Sequence, residues 1–367
     1  MLDIRFIREN AELVAEKSKQ KGYDVNVSKL LQVDENRRKL LAEIEKVRGE
    51  RNLLADKLRA GTPDAKSIEQ GRKLKDNLVQ LETQLKPVED EYLKLLKTVP
   101  NMPADDVPVG ASEDENVVTK EWGTKPEFDF EPKKHWEIAE SRGLIDKERA
   151  AKVSGSRFAY IKGDLVKLQF ALIQYVIDSL TDEAVIKNII QETGLKDLSP
   201  KPFTPVLPPL MIRTEVFDAM DRLEPRDDRY KVGSDEDNLW LQGSAEHTLG
   251  SMYMNETIEP ADLPIRLVGY ATSFRREAGS YGKDTEGIIR MHQFDKLEME
   301  SFTNGSAGFN EHLFLIAAQE YLLQQLKIPY HVLQKCTADI GKPNARGVDL
   351  EVWLPGQNRY LETHTAD

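Results

Sequence analysis

The stretch Ser273-Phe-Arg-Arg-Glu-Ala-Gly-Ser-Tyr-Gly-Lys-Asp-Thr-Glu-Gly-Ile-Ile-Arg-Met-His-Gln-Phe-Asp-Lys-Leu-Glu298 concentrates arginines, carboxylates and glycines between two apolar runs. It reads as a strand ending in Arg275 and Glu277, a Gly-rich loop, and a returning strand. Even spacing on that returning strand puts Arg290, His292, Phe294 and Glu298 on one face. Two guanidiniums suit a polyphosphate, Phe294 offers a stacking surface for a base, and Glu298 can hold an ammonium or hydroxyl group. The competing reading is a solvated hairpin of alternating polar residues, which a Gly-rich loop and a buried alternation disfavour. Neither GxGxxG nor GxxxxGK[ST] occurs in the chain, so a nucleotide here has to be gripped by side chains.

Around this hairpin, helical patterns alternate with β-prone runs such as Pro264–Ala271, Gly287–Phe294, Asp295–Glu300 and Val348–Leu354, and several of these come in succession without an intervening helix. Antiparallel pairing is therefore expected rather than a doubly wound parallel sheet, and the fold class is α+β. Upstream the pattern changes. Leu30, Val33, Leu40, Ile44, Val47, Leu54 and Leu58 recur on a three-and-four spacing, with Arg37 and Arg51 at two seam positions. After Ala60-Gly-Thr-Pro-Asp-Ala65 the spacing resumes at Leu74, Leu78, Leu81, Leu85, Val88, Tyr92 and Leu95. Two heptad segments joined by a short breaker predict an antiparallel two-helix coiled-coil arm, with a bend expected at Pro87. Thr98–Gly110 holds three prolines and no helical period, which places a linker there. The expected division is a helical domain over 1–105 and an α+β unit over 106–367.

Composition narrows the function classes. The 367 residues carry a net charge of −12 and a single cysteine, Cys336, so an internal disulfide and a Cys-rich zinc site are excluded. No apolar run reaches membrane-span length and the start of the chain is not a signal peptide, so a cytoplasmic protein is expected. The charge is divided. Residues 1–100 hold 21 Lys and Arg against 18 Asp and Glu, a balance of +3, while residues 101–367 carry −15. On the first arm helix Lys39, Lys46, Arg48, Lys57 and Arg59 are candidates for phosphate contacts, against the ordinary reading of a solvated coiled coil.

The 273–298 stretch resembles motif 2 of the class II aminoacyl-tRNA synthetases, FRxE followed by a loop and HQFxKxE. The chain as a whole is similar to the seryl-tRNA synthetases of the bacterial type. The likeness takes in the arm, Phe203-Thr-Pro-Val-Leu-Pro-Pro-Leu210 as motif 1 with Pro209 at its key position, and Gly243-Ser-Ala-Glu-His-Thr248 as the serine loop. It continues through Asp349-Leu-Glu-Val-Trp-Leu-Pro-Gly-Gln-Asn-Arg-Tyr360 into Glu362.

The resemblance implies an ATP-dependent ligase that activates L-serine and transfers it to the 3′ end of tRNA(Ser), and of tRNA(Sec) as well. By it, Arg275 holds the α-phosphate of ATP, Glu277 meets the adenine amino group, Phe294 stacks on the ring, and Arg290 orients the reacting end of the substrate. Arg276 joins the ATP contacts. Ser244, Ala245, Glu246 and Glu298, with Arg275, bind serine; Ser244 stands where threonine is commoner and keeps the hydroxyl. Glu362, Thr363, His364 and Thr365 occupy the place of Glu-Ile-Ser-Ser and contact ATP, with Glu362 and Thr365 on Mg²⁺. For His364 the alternative is a solvent-exposed or strand-edge residue. Motif 1 implies a homodimer, and the arm implies a tRNA partner.

The family's third motif, a Gly-rich strand and helix with an arginine for the γ-phosphate, does not occur before Asp367. The expectation is a truncated but otherwise ordinary enzyme, whose 367 residues alone have little or no adenylation activity. Two alternatives stand beside it: a non-catalytic synthetase-like tRNA-binding protein, and a class II enzyme for threonine or alanine. The chemistry suits the leading reading, since a carboxylate that attacks a phosphate needs positioning and charge neutralisation rather than a protein nucleophile.

Overall fold

The computed structural model describes residues 2–60, 64–234, 236–278 and 287–367. Part of the arm's turn and the Gly-rich loop 279–286 lie outside them. Two compact units result: Met1–Asn116 with Lys335–Gly347, and Val117–Gln334 with Val348–Asp367.

In the first unit α1 (Ile4–Glu9) and α2 (Ala11–Gln20) lead into α3 (Val27–Ala60) and α4 (Ala65–Thr98). Each long helix has 34 residues, so about 50 Å at 1.5 Å per residue. Asn26 Oδ1 accepts from Lys29 N and Asp64 Oδ1 from Ser67 N, so a side-chain oxygen caps an otherwise orphaned donor at each start. The heptads pack as the spacing predicts: Ile44, Val47 and Leu54 meet Leu74, Leu78, Leu81 and Leu85. At the base Leu30 and Val33 meet Tyr92, Leu96 and Val99 together with Ile7 and Val14. The start of α3 thus lies against the end of α4, which is the antiparallel hairpin. Arg37 keeps its seam place by stacking over Tyr92 at 4.8 Å and pairing with Glu89 at 3.4 Å, and Arg51 turns out to solvent. Helix α4 runs unbroken through Pro87.

The segment Lys335–Gly347, which has no sequence signal of its own, closes onto this unit. Lys21 is 4% exposed, and its ammonium donates to the carbonyls of Asn101, Gly341, Lys342 and Asn344 at 2.8–3.2 Å. A buried cation is tolerable only with its donors satisfied, and four carbonyl dipoles do that here.

The second unit holds two main sheets. One is antiparallel, in the order Val117–Trp122, Tyr330–Gln334, Val348–Leu354, Arg359–Ala366. The other pairs Ile265–Phe274 with Gln293–Phe302 antiparallel, and Thr204–Val206 joins it in parallel beside Leu267–Gly269. The helix Gly308–Gln325 backs both sheets: Phe314, Ala317 and Ala318 pack with Val268, while Ile316 and Leu323 pack with Tyr330, Leu350 and Val352. One face of each sheet is thereby covered. The hairpin strands differ in extent from the sequence reading. The first ends at Phe274, before Arg275 and Glu277, and the second begins only at Gln293. Gly287–His292 forms turns and bends, so Arg290 and His292 precede the strand instead of sharing its face.

Candidate active site

Three groups of candidate side chains lie in the second unit. The first is centred on Ser244, which is buried at the start of the short helix Glu246–Leu249. Its Oγ donates to Glu298 Oε2 at 2.5 Å and accepts from Lys296 Nζ at 3.0 Å, and Lys296 pairs with Glu298 at 2.8 Å. Glu246 is held by Arg222, Nε to Oε1 at 2.8 Å. Opposite Glu298 in register is Gly269, where a Cβ would collide with Leu249, so glycine lets the serine-loop helix pack flat on the strand. Gly243 N donates to Nδ1 of the buried His247 at 3.2 Å. Burial, aided by Arg229 and Arg222, pulls this imidazole down to about 2, so it stays a neutral acceptor at ordinary pH.

The second group lies at the hairpin's open end. Arg275 lies over Phe294 at 5.2 Å, and its Nε donates to Gly243 O at 3.0 Å, which ties the phosphate-binding candidate to the serine loop. Arg275 N donates to His292 O at 3.0 Å, one backbone bond past the strand ends, and the His292 ring Nδ1 lies 3.0 Å from Arg275 O. Arg276 turns away and lies over Tyr230 at 5.6 Å. Glu277 adopts a left-handed φ of 54°, a conformation costly for a residue with a Cβ, and its carboxylate pairs with Arg290 at 2.6 Å. Arg157 braces this turn, donating to Glu277 O at 3.4 Å and accepting from His292 N at 3.1 Å.

The third group is on the four-stranded sheet. Glu362 and Thr365 are three apart and would fall on opposite faces of a regular strand. A register shift inserts Thr363, so Glu362 pairs with Glu351 and Thr365 with Asp349 on one face. His364 pairs with Leu350, whose side chain is in the helix-facing core, and therefore projects to the other side of the strand from Glu362 and Thr365. Burial draws its imidazole down to about 4. It is half-buried on the edge strand of the sheet. Thr365 Oγ1 is buried with no hydrogen-bond partner among the described residues, and Glu362 is exposed. An exposed carboxylate and an orphaned hydroxyl on one face suit a hard cation that takes its remaining ligands from water and phosphate. No cluster of three or more His, Cys, Asp or Glu among the described residues forms a self-sufficient metal cage.

Pro209 is exposed, in an apolar run with Leu207 at 81% exposure, Leu210 and Met211. The structure thus joins Ser244, Ala245, Glu246 and Glu298 in one cluster and Arg275 with Phe294 in another, and links the two through Gly243. Lys296, Arg222, His247 and Arg157 take part without having been singled out from sequence. Lys296 shares the even spacing of Phe294 and Glu298, and His247 lies within the quoted Gly243–Thr248 stretch, so both could have been found; Arg222 and Arg157 come from distant positions and leave no local signal.

Comparison with known proteins places this geometry. Residues 1–103 match the model of the seryl-tRNA synthetase N-terminal domain, and residues 230–367 match that of the tRNA synthetase class II core domain (G, H, P, S and T). The serine–tRNA ligase of Geotalea uraniireducens is 38% identical over 99% of the chain and 82% of its own length, and that of Petrotoga mobilis 39% over 99% and 83%. Among solved structures, seryl-tRNA synthetase from Pyrococcus horikoshii, complexed with ATP, superposes with a TM-score of 0.83 at 34% identity, covering 100% of this chain and 83% of that one. Matched over 99% of its length by these relatives, the chain belongs to the seryl-tRNA synthetase family of class II aminoacyl-tRNA synthetases.

Proposed function

We propose that the protein is a serine–tRNA ligase that joins L-serine to AMP and passes the seryl group to the 3′ end of tRNA(Ser), with tRNA(Sec) as a second acceptor. The observation that carries this reading is the Ser244–Glu298–Lys296 cluster tied through Gly243 to Arg275 and Phe294. It sets an amino-acid pocket beside a cation and a stacking ring, which is the geometry adenylate formation needs.

In this reading Glu246 and Glu298 hold the serine ammonium, and Ser244 and Glu298 bond its hydroxyl. Alanine is rejected because it leaves those buried partners unpaired. The serine carboxylate attacks the α-phosphate, pyrophosphate leaves, and Arg275 neutralises the charge that builds on the phosphoryl oxygens. Phe294 stacks on the adenine, while Glu277, fixed by Arg290, accepts from its amino group. Glu362 and Thr365 are the residues to hold Mg²⁺, which supplies charge neutralisation at the phosphates when bound. The terminal ribose hydroxyl of the tRNA then attacks the seryl carbonyl and AMP departs. His364, on the far side of its strand, takes no part in binding ATP.

The division into a tRNA-binding arm domain over 1–105 and a catalytic domain over 106–367 belongs to the same proposal, with the exposed Lys46 and Lys57 of α3 meeting RNA phosphates. The exposed Leu207, Leu210 and Met211 beside Pro209 form part of a homodimer interface. A cytoplasmic location agrees with the substrates.

Binding tests the reading directly. A non-hydrolysable seryl-adenylate analogue at about 100 times its Kd stabilises the fold by roughly 2.7 kcal/mol, seen as a rise in Tm. The Arg275→Ala variant shows little of that rise. No rise for the parent chain favours a non-catalytic tRNA-binding protein, and a larger rise with the threonyl or alanyl analogue moves the specificity.

A further inference from the structure

Glu298 is not the last carboxyl on its side of the strand. Glu300 lies two residues on, sharing that face, opposite Leu267 in register. Its Oε1 is 3.8 Å from where a Cβ on Gly250 would stand, so the carboxyl sits under the end of the serine-loop helix. The charged groups around it are Glu298 and Lys296 on its own strand, Glu246 on the short helix and Arg222 on the segment packed beside that helix. Both cations are already engaged. Lys296 is shared by Ser244 and Glu298, and Arg222 grips Glu246. Among the described residues the Glu300 carboxyl has no hydrogen bond or close ion pair. Lys296 and Arg222 are thus each taken by another carboxyl, Arg229 also acts on Glu246, and Glu300 has no cation of its own.

Resting on the serine site proposed above, we infer that Glu300 is a third substrate-reading carboxyl, which gives up its proton when an α-ammonium group is seated beside Glu246 and Glu298. Burial, reinforced by the like charges of Glu298 and Glu246, raises Glu300 to about 8, so the group is mostly protonated at pH 7 in the empty pocket. An arriving ammonium supplies a positive charge beside it. The Oε–H bond breaks, the proton passes to buffer, and the carboxylate that remains adds to the field holding the substrate. His247, neutral throughout this range, has no proton to release. A carboxyl that ionises only against a cation discriminates against neutral ligands of serine's size, which leave it protonated and give none of this attraction.

Calorimetric titration of L-serine into the full chain tests this. At pH 7, in two buffers of different ionisation heat, the apparent enthalpies should differ by the release of a large fraction of one proton. Affinity should climb with pH, approaching about tenfold per unit below pH 7 and levelling off above about 8. The Glu300→Gln variant should bind serine with buffer-independent heat and a flat pH profile. If it does not fold, Glu300→Leu, matching the apolar Leu267 opposite, takes its place, and if neither folds the parent's buffer dependence decides. Serine binding without proton release, or a variant that still releases the proton, overturns the role of Glu300 alone. A parent chain that binds no serine between pH 6 and 9 overturns the serine site and this inference with it.

Discussion

The arm and the sheet unit hold charge in opposite ways. On the arm, Lys39–Glu35 at 2.6 Å and Arg48–Glu82 at 3.0 Å keep both partners in water, with side chains 44–68% exposed. Such pairs gain little, because solvent and salt screen them and two long side chains must be ordered. In the sheet unit Arg266 is 0% and Glu311 4% exposed; Nε meets Oε1 at 2.5 Å and Nη2 meets Oε2 at 3.0 Å. Nη1 donates to Ser199 O and Lys201 O, the guanidinium lies 4.2 Å from the Phe314 ring, and Ser301 also donates to Glu311. Four of the five guanidinium N–H donors are answered, as a desolvated ion requires. The arm can therefore exchange its charges at small cost, while the sheet unit depends on each one keeping its partner.

Breaking the buried pair should give the largest effect. Glu311→Leu leaves a guanidinium stranded in the core, and the sheet unit should lose about 3–5 kcal/mol in urea unfolding. A loss under 1 kcal/mol would erase the contrast. His247 tests the same idea through pH. Its folded value, about 2, lies below the ordinary 6.5, so the unfolded chain takes up a proton that the folded chain refuses. Its contribution is complete above pH 6.5 and falls as pH drops toward 2, by up to about 1.4 kcal/mol per unit. The stability difference between the parent and His247→Gln should shrink with acidification below 6.5; a constant difference would mean that the imidazole is not held neutral. The smallest effect belongs to the arm. A double-mutant cycle on Arg48 and Glu82 should return a coupling of about 0.2–1 kcal/mol that fades in high salt.

The same contrast explains what could be read in advance. The arm's register follows from residues three and four apart, and Leu74, Leu78, Leu81 and Leu85 are buried as their spacing says. The serine loop and the hairpin were recognisable because the residues that carry their chemistry are close in sequence. The strand limits at Phe274 and Gln293 were not, since apolar Ile288, Ile289 and Met291 look β-prone while the pairing that defines a strand stops earlier. The side of the strand on which His364 falls was not legible for a similar reason. Only the register of its partner strand reveals the extra residue at Thr363 that turns it away.

By itself the sequence determined the two-helix arm, the α+β class and the identities of the residues around Ser244, Arg275 and Glu298, because periodicity and short motifs are local and survive in one dimension. Tertiary structure alone decided that Lys335–Gly347 returns to the first unit around the Lys21 ammonium, that Arg222 and Lys296 are already engaged by Glu246 and Glu298, and that Glu300 is left without a cation. Burial and charge balance are sums over neighbours brought together from distant parts of the chain, and no window of sequence contains them.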